Sequence, residues 1–250
     1  MPKVSVITPA YNAASFLQET VNSVRVQTFC DWEMIIVDDC STDETYDLST
    51  RIAETDKRIK VLHNDKNIGV AATRNKALDA AIGEYIAFLD ADDLWLPQKL
   101  EKQVTFMDNG QYALTYTNYR KFDTNTGIVS YKIIKAPPTM TAKRIYGDTS
   151  IGCLTVMVNR SLSGVFHMPL ISHTEDNITW QEILSRGFTA HRLDDVLSLY
   201  REGNSSLTHG KIKAAKQQWQ TYREYYKFSV QRSLFYFVQY AFHATTKHFF

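Results

Sequence analysis

The chain has almost nothing from which to build a fold on covalent staples or bound zinc. Its three cysteines, Cys30, Cys40 and Cys153, are too few and too scattered for a disulfide framework or a zinc site. A reducing compartment, the cytosol, is therefore the expected setting. No apolar run reaches the roughly 18 residues that a membrane-spanning helix needs, and the start, which runs straight into Val-Ser-Val-Ile-Thr, is too short and uncharged to read as a secretory leader. Charge of either sign is not in excess: 28 Lys and Arg against 27 Asp and Glu leave a formal net charge of +1, which argues against general nucleic-acid binding. Two glycine signatures are missing as well. Without a Gly-x-Gly-x-x-Gly after the first apolar run, or a Walker loop, dinucleotide binding and triphosphate cradling of the usual kind are not expected.

What is present fits one large α/β domain with an appendage, because 250 residues, 44% of them hydrophobic, suffice for a substantial core. Residues 3–8 read as a strand that Pro9, Ala10, Tyr11 and Asn12 break, ahead of a helix with Leu17, Val21 and Val24 on one face. Residues 33–37 form the next strand, ending in Asp38 and Asp39, and Ser41 with Glu44 has the capping-box pattern that opens a helix. A third strand over 59–62 precedes a helix carrying Ala77, Leu78 and Ala81, closed by Gly83. The central strand comes next. Strands alternating with helices indicate a parallel sheet covered on both faces, whose ligands lie beyond the carboxyl ends of the strands.

The run over 84–94 is apolar and aromatic until it ends in Asp90, Asp92 and Asp93. Clustered acids repel one another unless a cation, a proton or hydrogen bonds compensate them. Oxygen ligands on one short loop suit Mg²⁺ or Mn²⁺, which keep waters and add substrate phosphates to one or two carboxylates. The competing reading makes Asp92 or Asp93 the cap of a helix beginning near Pro97. At the first two strand ends, a proline-shaped turn with Tyr11 and a carboxylate pair suit a base and ribose; ordinary turn chemistry and a solvated loop acid are the alternatives.

Four stretches in this order, Val-Ser-Val-Ile-Thr-Pro-Ala-Tyr-Asn (4–12), Ile-Ile-Val-Asp-Asp-Cys-Ser-Thr-Asp (35–43), Arg-Asn-Lys-Ala (74–77) and Gly-Glu-Tyr-Ile-Ala-Phe-Leu-Asp-Ala-Asp-Asp (83–93), resemble family 2 glycosyltransferases. The resemblance is close over about the first hundred residues and its combination of motifs is specific. It implies a GT-A fold, a mostly parallel Rossmann-like sheet flanked by helices, with an inverting mechanism and a nucleotide-sugar donor, most often a uridine diphosphate sugar. Carried over by position, Pro9, Ala10 and Tyr11 would line the nucleotide pocket, Asp39 would accept from the uracil ring N–H, Arg74 would lie near the nucleotide, Asp90 would approach the ribose and Asp92 would hold Mn²⁺ or Mg²⁺.

The second half is expected to hold a hairpin, strands over 112–116 and 128–134 around the turn 123–127, and a buried strand over 152–158 that in this family lines the acceptor side. His173, Thr174, Glu175 and Asp176 lead into a helix with Ile178, Ile183 and Leu184 that ends at Gly187. Acids in a first helical turn are stabilising on electrostatic grounds alone. In similar enzymes Asp176 would be the catalytic base; Asn177 stands where the family commonly has an aromatic. A last strand over 196–200 leads to a polar loop over 201–206, where Arg201, like Glu175, is a candidate for diphosphate or acceptor contacts, with a surface arginine as the other reading. No Gln-x-x-Arg-Trp follows the base, which argues for one sugar per encounter.

The expected division is a nucleotide-sugar half over 1–95, an acceptor half over 96–208 and an amphipathic C-terminal helical segment over 209–250. That last stretch has one acid, Glu224, against seven Lys and Arg. Its aromatics either pack on the catalytic domain, form a homo-oligomer contact, or lie in the interface of the cytoplasmic membrane. The middle and tail resemble enzymes of bacterial capsule, teichuronic acid and lipopolysaccharide assembly, which implies a saccharide or lipid-linked acceptor. Three other functions compete. A phosphatase would want its acid pair after the first strand, a sugar nucleotidyltransferase would want a glycine-rich first loop, and a silent relative serving as a binding subunit would not need Asp92 and Asp176.

Overall fold

The computed structural model describes residues 1–124, 126–171, 173–202 and 211–249. In chain order the elements are β1 (Val4–Ala10), α1 (Ala14–Arg25), β2 (Trp32–Asp38), α2 (Thr45–Thr55), β3 (Ile59–His63), α3 (Val70–Ala80), β4 (Tyr85–Phe88), β5 (Leu94–Trp95) and α4 (Lys99–Gly110). There follow β6 (Leu114–Asp123), β7 (Val129–Ile134), β8 (Thr139–Thr141), β9 (Met157–Asn159), α5 (Arg160–Ser163), α6 (Glu175–Leu184), β10 (Thr189–Glu202), α7 (Lys211–Gln220) and α8 (Val230–Phe249). One mixed sheet has the order β3-β2-β1-β4-β9-β6-β10-β5, with β7 beside β6 and β8 beside β10. Its N-terminal half, β3-β2-β1-β4, is parallel, as the alternation of strands and helices requires. Beyond it β9 runs antiparallel to both β4 and β6, joining the two halves.

The core lies on both faces of this sheet. Ile7, Ile35, Val37, Phe88 and Trp180 face one side; Val6, Met34, Ile36, Leu17 and Val21 face the other. Phe88, two residues before Asp90, meets Trp180 of α6 edge to face at 5.1 Å between ring centres. That contact locks the strand leading to the acid loop against the helix that opens with Glu175 and Asp176.

Several local expectations need correction. β1 runs through Pro9 to Ala10 instead of breaking there, because its pairing with β4 has already ended at Ile7 and Phe88, so the missing proline N–H costs no ladder bond on that side. The capping box does not form. Ser41 Oγ accepts from the Asn12 N–H, while Asp43 Oδ1 accepts from the Thr45 N–H at the start of α2. Gly83 is not the cap of α3, which Ala81 ends; a Cβ at Gly83 would stand 2.6 Å from the Ser5 nitrogen, so its role is close approach to β1. Of the strand expected over 152–158 only Met157 and Val158 belong to a sheet strand, β9, since Cys153–Thr155 is a 3-10 turn closed by Thr155 donating to the Gly152 carbonyl. The last strand is 14 residues long and takes in Arg201 and Glu202; shifts of register between Leu193 and Ser198 hide its period-two pattern. The rest of the expected polar loop lies outside the described residues, as does the boundary at 208.

Residues 211–225 and 230–249 are helical, the first run ending in a wider turn over Thr221–Tyr225 and the two joined by a non-helical link over 226–229. Tyr222, Phe228 and Tyr236 are buried there, packed against Tyr146. Among the described residues no helix is long and apolar enough to cross a membrane.

Candidate functional site

The carboxyl ends of β1 and β2 are tied together by the backbone: the Asp39 N–H donates to the Ala10 carbonyl at 2.8 Å, so Pro9, Ala10 and Asp39 share one edge. Tyr11 projects beyond it, half exposed. Asp39 is buried, and its Oδ1 accepts from the Ile68 N–H and from Asn64 Nδ2 while Oδ2 accepts from the Gly69 N–H, all at 2.9 Å. This carboxylate therefore anchors the turn into α3. Oδ2 retains a second acceptor position.

Each polar residue of the Arg-Asn-Lys run in α3 clamps a different segment. Asn75 pairs with the Met168 backbone in both directions, at 2.8 and 2.7 Å. Lys76 donates to the His63 carbonyl and to Asn64 Oδ1. Arg74 is the centre. Its Nη2 donates to Asp90 at 2.6 Å and its Nη1 to Glu175 at 2.7 Å, so one buried guanidinium bridges the acid loop to the start of α6. Burial works against that charge, but Asp90 and Glu175 outweigh it and hold Arg74 well above the usual arginine range.

The acid loop is braced from behind by Arg201, which is a strand residue. Its backbone N–H donates to Asp93 at 2.9 Å, its Nε to the Asp92 carbonyl and its Nη2 to Glu19 at 2.6 Å, and its guanidinium lies 4.9 Å from the rings of both Phe16 and Phe122. The helix-cap reading of Asp92 and Asp93 fails, because α4 begins only at Lys99 and β5 intervenes. Asp93 is buried; desolvation, then the charges of Asp92 and Asp90, push its pKa well up. Asp92 is exposed, yet the crowding of protein around it, and next the charge of Asp90, raise it to about 6. Among the described residues no side chain hydrogen-bonds the Asp92 carboxylate, and no three His, Cys, Asp or Glu side chains converge into a metal cage. An acid with open lone pairs, excess negative charge beside it and room for outside ligands fits a divalent cation that arrives with a diphosphate.

Across Arg74, Asp176 sits in the first turn of α6. Burial, then the neighbouring Glu175, raise its pKa to about 6, with Arg74 pulling the other way. Thr174, which opens the helix, has φ of 70°, and His173 before it 75°; two consecutive non-glycine residues in this region point to a backbone held by its surroundings. Thr221 supplies part of that hold through a hydroxyl pair with Thr174 at 2.9 Å. Cys153 lies within electrostatic reach of Arg74, Asp90, Glu175 and Asp176, and burial pushes its thiol well up. Cys153, Glu19 and Thr221 reach the site or its supports without any local sequence signal.

Residues 5–162 match the model of glycosyl transferase family 2. Over 246 residues, 98% of this chain and 97% of the relative, the sequence is 44% identical to TuaG of Bacillus subtilis (strain 168), whose name assigns it as a glycosyltransferase of teichuronic acid biosynthesis. It is 34% identical over 249 residues, 99% of this chain and 95% of the other, to the Escherichia coli UDP-Glc:alpha-D-GlcNAc-diphosphoundecaprenol beta-1,3-glucosyltransferase WfgD. Among solved structures, S. aureus TarS 1-349 in complex with UDP-GlcNAc superposes with a TM-score of 0.68 at 20% identity, over 96% of this chain and 71% of that one. The mannosyltransferase PcManGT from Pyrobaculum calidifontis, in complex with GDP-Man and Mn²⁺, gives 0.73 at 22% identity, over 91% and 65%. At these identities the structural likeness is one of fold, and the fold is the GT-A type.

Proposed function

The chain belongs to glycosyl transferase family 2, and from that premise we propose that it moves one sugar from a uridine diphosphate hexose or N-acetylhexosamine to a saccharide carried on a lipid diphosphate, in the assembly of a bacterial envelope polysaccharide, with inversion at the anomeric carbon. The observation that carries this reading is the meeting, around Arg74, of the acid loop and the Glu175-Asp176 pair. Residues 1–95 bind the donor in this scheme, 96–208 the acceptor, and 209–250 form an appendage on the inner face of the cytoplasmic membrane.

Pro9, Ala10 and Tyr11 wall the nucleotide, the open position on Asp39 Oδ2 takes the uracil N–H, and Asp90 takes the ribose side. Asp92 holds Mn²⁺ or Mg²⁺, which when bound supplies positive charge to the departing diphosphate. Asp176, ionised above pH about 6, takes the proton of the acceptor hydroxyl as its oxygen bonds to the anomeric carbon and the bond to the diphosphate breaks. One displacement needs no carboxylate nucleophile, so Glu175 is left to its ion pair with Arg74. Arg201 positions the acid loop in this scheme and Glu175 positions Arg74. A screen of nucleotide sugars with Mn²⁺ tests the proposal: slow hydrolysis of one uridine diphosphate sugar is expected, and turnover of none of them, or of guanosine diphosphate sugars alone, overturns the donor assignment.

A further inference from the structure

The tail aromatics fall into two sets. Ser233 and Tyr236 of α8 are buried, Phe237 packs on Trp219 and Gln239 lies over Gly147, so this face of the helix is fixed on the catalytic body. The opposite face is apolar as well. Val230, Leu234, Phe235 and Val238 are 54–61% exposed, and at 3.6 residues per turn they fall within an arc of about 140°. Four such side chains together are an exposed apolar patch, which marks an interaction surface rather than ordinary surface variation.

We propose that this face of α8 lies on an anionic lipid surface, in the plane of the headgroups. Charge decides for lipid over a second copy of the chain. No acidic residue occurs in α8, and the exposed cations Lys213, Lys216 and Lys227 stand on the same appendage, so two copies meeting here would bring like charges together whereas anionic headgroups would neutralise them. Length fits too: 20 residues make about 30 Å of helix, and a helix anchored along one side to protein can only lie flat. The inference rests on the lipid-linked acceptor of the proposed function and adds the geometry by which it is met. Thr221 bonds Thr174 at the start of α6, and the Tyr225 hydroxyl donates to Glu182 at 2.6 Å farther along the same helix. A lipid-bound α8 thus sets the height of Asp176 above the membrane.

Flotation of the full chain with vesicles of equal phosphatidylglycerol and phosphatidylcholine tests it. Wild type should float at low salt and detach at high salt, while Phe235→Glu/Val238→Glu should partition at least tenfold less with unchanged melting temperature and unchanged donor hydrolysis in lipid-free buffer. As a second probe, Val238→Trp should add indole emission that shifts to the blue on these vesicles and not on pure phosphatidylcholine. Wild type that stays unbound at low salt, a double variant that floats like wild type, or a lipid-free wild-type dimer made monomeric by the double substitution overturns the proposal. Transfer assayed on lipid-linked and free saccharides reports separately on the underlying reading: vesicle binding with no preference for the lipid-linked acceptor overturns that reading and leaves the docking face standing.

Discussion

Arg74 is the residue on which the two halves of the site depend, and its partners set the division of labour among the acids. Glu175 and Asp90 are each engaged by its guanidinium, whereas Asp92 and Asp176 have no ion pair among the described residues. Both have pKa values of about 6, raised first by burial and then by a neighbouring carboxylate, Asp90 for Asp92 and Glu175 for Asp176. Asp176→Asn should leave donor affinity intact while transfer falls at least about a hundredfold, the scale of a lost general base. If Glu175→Gln instead proves the severe substitution for chemistry alone, the base must be reassigned. The sign of the pH effect follows from the role: a base works ionised, so transfer should decline as pH falls through about 6, and Asp176→Asn should flatten that decline. Asp92→Ala should abolish the Mn²⁺-dependent part of uridine diphosphate affinity, read by calorimetry with and without the metal; an unchanged metal-dependent affinity removes Asp92 from that position.

At the scale of elements, the parallel half of the sheet was legible because each of its strands is a short apolar run ended by a breaker, and the acids stand where those runs stop. The bridging contacts were not, since Arg74 and Glu175 are 101 residues apart and Arg201 and Glu19 are 182 apart, beyond any local period. Register shifts concealed most of β10, and a buried Cys-Leu-Thr reads as strand whether it is extended or wound into a 3-10 turn. α4 hides a further anomaly. Lys99 at its start is wholly buried, with Gln103 Oε1 2.9 Å and the Trp95 ring 4.1 Å from its ammonium and no carboxylate partner among the described residues, and desolvation lowers its pKa to about 7. Because the folded pKa lies below the unfolded one, the unfolded chain holds the proton more tightly. Stability is therefore fully retained above the unfolded value of 10.5 and lost as pH falls toward about 7, by up to about 5 kcal/mol if the whole shift is expressed. Lys99→Met should raise the denaturant midpoint at pH 7 more than at pH 9.5; an equal effect at both would mean that the amine is protonated and compensated in the fold.

For the molecule as a whole, the tail is part of the catalytic body and not a detachable tether. Its composition, aromatics interleaved with cations, reads equally well as packing or as membrane contact, because sequence alone does not say which side of a helix meets protein. The fold assigns Tyr222, Phe228 and Tyr236 to packing around Tyr146, and leaves Val230, Leu234, Phe235 and Val238 outside. The two faces should therefore separate by experiment. Charging the outer face should change lipid binding alone. Ending the chain at Gly210 should also strip the cover from Tyr146 and remove the Thr221 hydroxyl from Thr174, whose left-handed backbone then loses a partner at the entry to α6. Exposing roughly 100–200 Å² of apolar surface on the body costs about 3–5 kcal/mol, so the truncated protein should melt several degrees lower. Its donor KM should hold, because the nucleotide edge of β1 and β2 is untouched, while its turnover should drop as Asp176 loses a fixed position. Calorimetric melting with transfer kinetics on a water-soluble acceptor reads both effects, and a truncated chain with wild-type melting and turnover would mean that the tail contributes neither packing nor alignment.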